Sequence, residues 1–280
     1  MVNLSALNCI EIVEFDNIVN SKHNPRRIHL GVLRPRILSD YNDYNINFNT
    51  IHTKPFTSYT ILTEKADLLH CYNVNTAALE NLIKRIEENQ SIDLQHICSY
   101  CLYNKIEETD HYIPKEEFAE FCVLASNLVP ICSVCNKKKN QYWRTNNQST
   151  RTFLHLYKDI MPNIQFLFGT LNFVNSLPQF NWTISNTNNI IPINLFTIIS
   201  EHFNKLELAD RYQKACNELL AEIERSVKAQ RRINANISMQ NISNLLIAES
   251  IEESFNYGIN YWKAIAKNCL ANDQQYINSL

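Results

Sequence analysis

Glycine is scarce in this sequence: only Gly31, Gly169 and Gly258 occur among its 280 residues. Neither a Gly-x-Gly-x-x-Gly fingerprint nor a Walker loop can be built from isolated glycines, because both need several close together so that the backbone can approach a phosphate. The chain is therefore not expected to carry a nucleotide-binding loop of its own. Nucleotide chemistry, where it is needed, is expected from a partner protein.

An excess of positive charge is also absent. The 26 lysines and arginines are outnumbered by 28 aspartates and glutamates, which gives a net charge of −2. Non-specific affinity for nucleic acid comes mainly from lysine and arginine neutralising phosphates, so the charge argues against a protein that coats DNA by charge alone. Any such contact must be local or helped by a partner. The composition, 45% hydrophobic and 19% charged, is that of a folded protein of one or two domains.

A long continuous apolar run is missing as well. Residues 161–200 contain no Asp, Glu, Lys or Arg, but Asn, Gln and Pro interrupt them too often for the roughly 20 continuous apolar residues of a spanning helix. No membrane partner is expected. Residues 164–175 and 180–185, separated by SLPQ, instead predict a hairpin of half-buried strands. Its uncharged surface either docks a partner or belongs to an ordinary core or edge hairpin.

The first residues do not have the features of a signal peptide. They lack a basic region, and Glu11, Glu14 and Asp16 fall where such a peptide would be apolar. A cytoplasmic location is therefore expected.

Most of the remaining elements are predicted as helices. Residues 75–89 have one apolar face with helical spacing, formed by Leu79, Leu82, Ile83 and Ile86. A short helix is predicted for residues 149–159. From Pro192 onward the chain is predicted to be helical in three segments, 193–206, 206–232 and 238–273.

Four arginines lie close together near the N-terminus: Arg26, Arg27, Arg34 and Arg36. Such a cluster can contact phosphate, or it can form a solvated face whose members pair with local carboxylates. Arg26 and Arg27 are candidate nucleic-acid-binding residues on the first reading. Residues 1–74 otherwise have no assigned role.

The cysteines carry the strongest local signal. Four of the nine form two Cys-x-x-Cys pairs, made by Cys98, Cys101, Cys132 and Cys135. Each two-residue spacer lets a tight turn aim both sulfurs of a pair at one ion, so the four thiolates predict a closed tetrahedral zinc site. Because a closed site has no open coordination position, this zinc is expected to be structural. The alternative is a set of unrelated buried cysteines.

The residues between and after the two pairs suggest chemistry. Asp110 is a hard oxygen ligand suited to magnesium or manganese, and His111 can act as a general base near neutral pH. Asn136 supplies a second oxygen directly after the last cysteine. Positive charge for phosphate is expected from the neighbouring Lys137, Lys138 and Lys139. A hard-metal ligand, a base and positive charge together are what phosphodiester hydrolysis requires.

This order of residues, Cys-x-x-Cys, Asp-His-x-x-Pro, Asn-Leu-x-Pro-x-Cys-x-x-Cys-Asn-x-x-Lys, resembles the zinc-stapled HNH endonucleases of ββα-metal fold. The resemblance covers residues 98 to 139. It implies that Asp110 and Asn136 bind the catalytic divalent ion, Mg²⁺ or Mn²⁺. It also implies that His111 deprotonates the attacking water and that Asn127 fixes the loop that orients His111.

Two departures from the family pattern bear on function. Many members carry histidine at the position of Asn136, and a neutral amide is a weaker ligand for soft ions although acceptable to magnesium. The segment KEEFAEFCVLAS replaces a glycine pair and predicts an inserted helical turn. In addition, successive strand residues face opposite sides, so Asp110 and His111 can address one site only where the strand ends or bulges.

The expected fold class is α+β and mostly helical. An N-terminal region (1–74) precedes the HNH module with its lead-in helix (75–145), and a mainly helical domain with a β-hairpin follows (146–280). A further resemblance is to HNH proteins encoded beside ATPases in Septu-type antiphage systems, and it is carried by DHYIPKEEFAEF and NLVPICSVCNKKK, followed by RTFLHLYKDIMP and HFNKLELADRYQKA. That similarity implies a nuclease, with DNA favoured over RNA as substrate, held in check by an ATPase. The alternative is an inert zinc module that binds nucleic acid or protein within a larger complex.

Overall fold

The computed structural model describes residues 1–175 and 177–280. It is mostly helical, with 54% of residues in helices, and it contains two antiparallel two-stranded sheets. These features confirm the predicted α+β class. The α-helices are α1 Glu11–Asn20, α2 Arg26–Ile46, α3 Leu62–Asn73, α4 Ala77–Glu88, α5 Ser133–Lys139, α6 Ile193–Lys205, α7 Leu208–Ile233, α8 Met239–Tyr257, α9 Trp262–Asn272 and α10 Gln274–Ser279. The strands are β1 Glu108–His111, β2 Leu128–Ile131, β3 Leu167–Val174 and β4 Leu177–Ile184.

The chain divides into two compact units. One contains residues 3–100 and 104–159, and the other contains residues 1–2, 101–103 and 160–280. The domain boundaries at 74/75 and 145/146 expected from the sequence stay a prediction.

The first unit begins with helices. The predicted helix at 75–89 is confirmed as α4, which starts where the Thr76 hydroxyl accepts a hydrogen bond from the Leu79 amide at 3.3 Å. The N-terminal region, which the sequence left unassigned, forms α1 to α3. In α2 the residues at helical spacing are buried although Pro35 lies inside the helix; they are Leu30, Leu33, Ile37, Tyr41 and Tyr44. Pro35 itself is exposed, which allows the apolar face to remain continuous.

A ββα arrangement follows these helices. Strands β1 and β2 pair antiparallel, with His111 opposite Leu128 and Glu108 opposite Ile131. All four residues of β2 are buried. Cys132 then caps α5, because its sulfur accepts a hydrogen bond from the Cys135 amide. The sheet and the cap together place α5 against β1.

The helix predicted at 149–159 is wrong. These residues form turns, and Arg151 makes an isolated β-bridge with Arg144. The guanidinium of Arg151 donates hydrogen bonds to both carboxylate oxygens of Asp159, at 2.8 and 2.5 Å, and to the Tyr112 hydroxyl at 3.2 Å. Residues 151–156 are all buried. A surface helix would expose one face of such a run. The complete burial of residues 151–156 and the pairing of Arg151 with Asp159 therefore favour an irregular segment over the predicted helix.

The second unit contains the predicted hairpin, formed by β3 and β4 with Leu167 opposite Ile184. The second strand is longer than predicted and begins at Leu177; Ser176, from the SLPQ segment, lies outside the described residues. The helices predicted from Pro192 onward are confirmed, but residues 238–273 form two helices instead of one. Gly258, with a φ of 86°, ends α8 in a conformation that favours glycine. Across residues 1–175 and 177–280, no helix has the length and apolarity needed to cross a membrane.

A buried histidine near the ββα arrangement makes the stability of the protein sensitive to acid. His155 is fully buried, and its Nε2 lies 2.9 Å from the Tyr44 hydroxyl. Burial lowers the pKa of His155 well below its ordinary value, and the charges of Arg151 and Lys158 lower it further. The unfolded chain therefore binds this proton more readily than the folded chain, so stability is complete above about pH 6.5 and is lost as the pH falls.

We expect the free energy of unfolding to decrease by up to about 1.4 kcal/mol per pH unit for this group below pH 6.5. Urea titrations between pH 8 and pH 5 measure the slope. His155→Phe should give a shallower dependence than the wild type, whereas His96→Gln, at an exposed position, should keep the wild-type slope. An unchanged slope in His155→Phe would contradict the prediction.

Candidate active site

A cleft of about 990 Å³ lies beside β1, the segment after it and α5. It is lined by Tyr72, Glu108, Thr109, Asp110, His111, Pro114, Lys115, Glu116, Ser133, Asn136, Lys137, Asn140 and Gln141. Of the residues predicted from the sequence, the cleft brings together Asp110, His111, Asn136 and Lys137. The other predicted residues, apart from the four cysteines, lie elsewhere: Asn127, Lys138, Lys139, Arg26 and Arg27.

His111 occupies the end of β1, where the regular strand stops. Its side chain is nearly buried, and its Nε2 lies 2.8 Å from the Cys122 carbonyl oxygen. Because a carbonyl oxygen only accepts hydrogen bonds, Nε2 must carry the proton, which leaves the lone pair of the neutral ring on Nδ1. The Tyr72 and His111 rings pack in a T-shaped arrangement, with 4.3 Å between their centroids. The ring is thus held in one tautomer and one orientation.

The electrostatic surroundings keep His111 neutral. Burial lowers the pKa of His111 to about 4, although the Cys122 carbonyl and Asp110 act in the opposite direction. The cationic side chains of Lys115 and Lys139 also lower it. At neutral pH the imidazole is therefore unprotonated and able to accept a proton.

Asp110 lies deeper than His111 and is held by two donors. It is 4% exposed. The Tyr100 hydroxyl donates to its Oδ2 at 2.8 Å, and the Lys139 ammonium donates at 3.0 Å. The ammonium of Lys139 also donates to the His111 carbonyl oxygen at 2.9 Å. Because each carboxylate oxygen has two lone pairs, Asp110 retains capacity to bind an ion.

Asn127 is fully buried and bridges the segment that follows His111. Its amide nitrogen donates to the carbonyl oxygens of Ile113 and Phe121 at 3.0 and 3.1 Å. Its side-chain oxygen accepts from the Ile113 amide at 2.8 Å and from the Tyr44 hydroxyl at 3.2 Å. Three of these bonds hold the backbone of Ile113 and Phe121, and the fourth ties Asn127 to the core residue Tyr44. Asn127 therefore fixes the segment that follows His111.

Asn136 projects from α5 and contacts β1. Its Nδ2 donates to Glu108 Oε2 at 2.5 Å, so the amide oxygen is the atom that remains for another partner. Together Asp110, Asn136 and Glu108 offer only carboxylate and amide oxygens. That donor set fits hard ions such as Mg²⁺ or Mn²⁺ and does not favour zinc or copper.

The four cysteines Cys98, Cys101, Cys132 and Cys135 fit a zinc ion. All are buried, and their sulfur atoms lie within 4.8 Å of one another. Tetrahedral zinc with Zn–S distances of about 2.3 Å needs sulfurs roughly 3.8 Å apart. Cys132 Sγ also accepts hydrogen bonds from the Cys135 amide at 3.4 Å and from the Asn104 amide group at 3.5 Å. Donors of this kind stabilise a thiolate.

The predicted phosphate-binding lysines separate into different environments. Lys137 is exposed and lines the cleft, and Lys138 is half-buried outside its lining. Lys139 is completely buried and ion-paired with Asp110. A nucleic-acid-binding role for Lys139 does not fit this position, because its ammonium is buried and bonded to Asp110 and to the His111 carbonyl oxygen.

The arginine cluster lies on α2 and not in the cleft. Arg26 pairs with Asp67 at 2.7 Å, and Arg34 pairs with Asp16 at 2.7 Å. Arg36 likewise lies 3.2 Å from Glu64, whereas Arg27 is exposed. Three of the four arginines therefore pair with local carboxylates. The pairing of Arg26 with Asp67 makes a contact between Arg26 and phosphate less favourable.

Several residues of the site were not predicted from the sequence. Tyr72 and Tyr100 belong to other segments, and no local pattern connects them with Asp110 or His111. Lys115 and Glu108 lie inside the motif region and line the cleft. Glu108 did carry a signal, because residues two apart in a strand share one face and Glu108 precedes Asp110 by two.

The buried Lys139–Asp110 pair gives a stability prediction. Lys139→Met removes the ammonium and leaves the Asp110 carboxylate without a cation, so we expect the free energy of unfolding to fall by about 3–5 kcal/mol. Urea denaturation without added divalent ions measures the loss. Lys137→Met, which changes an exposed lysine of the same helix, should stay within about 0.5 kcal/mol of the wild type. Equal stability of the two variants would contradict the buried pairing.

Comparison with known proteins finds a family match over the segment that contains most of this site. Residues 98–141 match the sequence model of the HNH endonuclease family. The chain is also 23% identical over 262 residues to protein ea31 of Escherichia phage lambda, a match that covers 88% of this chain and 85% of the phage protein. No solved structure matches significantly. The HNH match indicates a nucleic-acid-cleaving function.

Proposed function

From the HNH endonuclease domain at residues 98–141, we propose that this protein is a metal-dependent endonuclease that hydrolyses phosphodiester bonds, with DNA as the favoured substrate. The observation that carries the proposal is the pairing of His111 Nε2 with the Cys122 carbonyl in a cleft that also contains Asp110 and Asn136. The cleft therefore contains a base with a fixed tautomer, His111, next to the hard oxygen donors of Asp110 and Asn136. The cysteine cluster fits a separate structural zinc.

The residues divide the chemistry between them. His111 accepts the proton of the attacking water at Nδ1, because Nε2 is already protonated and bonded to Cys122. Asp110 and Asn136 would hold Mg²⁺ or Mn²⁺, and the bound ion would supply positive charge to neutralise the phosphate. Asn127 keeps the segment after His111 in place through its bonds to Ile113 and Phe121.

One lysine on the wall of the cleft suits the substrate. Lys137 is exposed and can attract a phosphate as a point charge. The ammonium of Lys115 also lines the cleft, but it lies 2.5 Å from the Glu116 carboxylate, which offsets its charge. A local charge of this kind agrees with a chain whose net charge gives no general affinity for nucleic acid.

A cleavage assay on supercoiled plasmid tests the proposal. The zinc-loaded protein should cut when Mg²⁺ or Mn²⁺ is added and should not cut when both are omitted. Asn136→Ala should raise the metal concentration needed for half-maximal rate, whereas Asn140→Ala, a neighbouring position that also lines the cleft, should not.

The alternative function is a zinc-stabilised module that binds without cutting. The ion pair between Lys139 and Asp110 favours it, because an ammonium 3.0 Å from the carboxylate opposes binding of a cation there. A folded, zinc-loaded chain that binds DNA but leaves it intact with both ions would support this alternative and contradict the nuclease.

We also propose that the nuclease acts with an ATPase partner in antiphage defence. The support is the resemblance of segments within and after the motif to Septu-type HNH proteins, together with the scarcity of glycine, from which no nucleotide loop can be built. Such a complex would act in the cytoplasm, where cysteine thiolates stay reduced. Co-purification of an ATPase encoded beside this chain, with cleavage that depends on ATP, tests this proposal.

A further inference from the structure

We infer that Glu108 is a further ligand of the divalent ion and contributes the negative charge that attracts it to the cleft. The inference rests on the proposed function, because it concerns the same metal site. Neither the family resemblance nor the motif assigns a role to this residue. Its position, its charge and its contact with Asn136 carry the argument.

The first step is the balance of charge in the cleft. Lys139 lies 3.0 Å from Asp110, and the ammonium of Lys115 lies 2.5 Å from Glu116. Each of these pairs is nearly neutral as a unit. A divalent cation that approached Asp110 alone would meet an adjacent ammonium, which opposes binding.

Glu108 is different from the other two carboxylates of the cleft. In the part of the chain that the structure describes, it has no ion-pair partner, and its Oε2 accepts a hydrogen bond only from Asn136. The remaining cation among the cleft residues is Lys137, whose exposed side chain is surrounded by solvent. Glu108 therefore supplies negative charge that no adjacent cation offsets.

The second step is position. Glu108 and Asp110 are two residues apart in β1, so their side chains share one face of the strand. Glu108 is exposed and Asp110 is buried, which places one carboxylate near solvent and the other deeper in the cleft. Asn136 reaches the same face from α5. Mg²⁺ is bound in proteins by one or two carboxylates together with water, which matches this set.

The contact between Glu108 and Asn136 allows a second role to be separated from the first. By accepting from Asn136 Nδ2, Glu108 orients the amide so that its oxygen is available to the ion. Glu108→Gln keeps a side-chain oxygen that can accept this bond but removes the charge. Glu108→Ala removes both. If Glu108 binds the ion through its charge, both variants should bind Mn²⁺ more weakly. If Glu108 only orients Asn136, only Glu108→Ala should do so.

The experiment is a titration of Mn²⁺ into the full chain with zinc bound, in which the free ion is followed by electron paramagnetic resonance. Circular dichroism and zinc content establish that each variant is folded. We expect Glu108→Gln and Glu108→Ala each to weaken Mn²⁺ binding by at least about 10-fold. The matched control is Glu107→Gln, since Glu107 is adjacent but bonds to Ser133 instead of Asn136.

The outcomes separate the inference from the proposed function. If Glu108→Gln binds Mn²⁺ as tightly as the wild type while Asp110→Asn does not, the inference is overturned and the proposed metal site stands. Equal weakening in Glu107→Gln and Glu108→Gln would also overturn it, because the effect would then be general charge. If the wild type binds no Mn²⁺, or if Asp110→Asn binds it as tightly as the wild type, the proposed function itself fails.

Discussion

Replacing His111 with alanine is expected to lower the rate of metal-dependent cleavage by about 100-fold or more, since a general base contributes about 10²–10⁴-fold to a rate. The loss should fall on kcat, with little change in DNA affinity, because the proposed role of His111 is to activate water and not to bind substrate. Cleavage of a labelled duplex under single-turnover conditions measures it.

Two comparisons make the His111 result interpretable. His96→Ala, at an exposed position outside the cleft, should cut at the wild-type rate. Zinc content and thermal unfolding of His111→Ala should establish that the loss does not come from an unfolded chain, because the side chain is almost buried. A folded His111→Ala protein that cuts at an undiminished rate would show that another group is the base.

Removing one zinc thiolate should lower the stability of the protein. Cys132→Ser is expected to lower the zinc content from about one ion per chain to near zero. Structural zinc contributes about 10–16 kcal/mol in zinc-finger peptides, which is as much as the entire stability of a typical domain, about 5–15 kcal/mol. The cooperative thermal transition should therefore disappear or shift far downward.

Cys9→Ser is the matched control for this experiment. Cys9 lies outside the cluster and is only partly buried, so the variant should keep both its zinc and its melting temperature. Elemental analysis of the purified proteins and differential scanning calorimetry give the two readouts. Retention of zinc and stability by Cys132→Ser would show that the four cysteines do not form the expected site.

The features that were predicted correctly are those encoded by spacing within a short segment. The two Cys-x-x-Cys pairs specify their own cluster, because the turn between the cysteines of each pair aims both sulfurs the same way. Helix α4 was predicted because its apolar period is regular, and the structure adds the cap that Thr76 provides. The end of the strand at His111 followed from the requirement that Asp110 and His111 face one site.

The features that were missed depend on contacts between distant segments. The run Lys137, Lys138 and Lys139 is typical of a solvated helix end, and nothing within it marks Lys139 as the partner of a buried carboxylate. The bond from Tyr100 to Asp110 and the ring contact of Tyr72 with His111 likewise join segments that no local pattern connects. Tertiary packing determines such pairs, and a single sequence does not encode packing as a local pattern.

The order of residues along α5 has a consequence for the newly made protein. Within its seven residues, this helix carries a zinc ligand, Cys135, directly before Asn136, and Lys139 at its end. During synthesis the first cysteine pair is made before Asp110 and His111. Helix α5, which completes the surroundings of these two residues, is made only with the second cysteine pair. Because Cys135 and Asn136 are consecutive residues of this helix, a zinc ion held by Cys135 would also fix the position of Asn136 in the cleft.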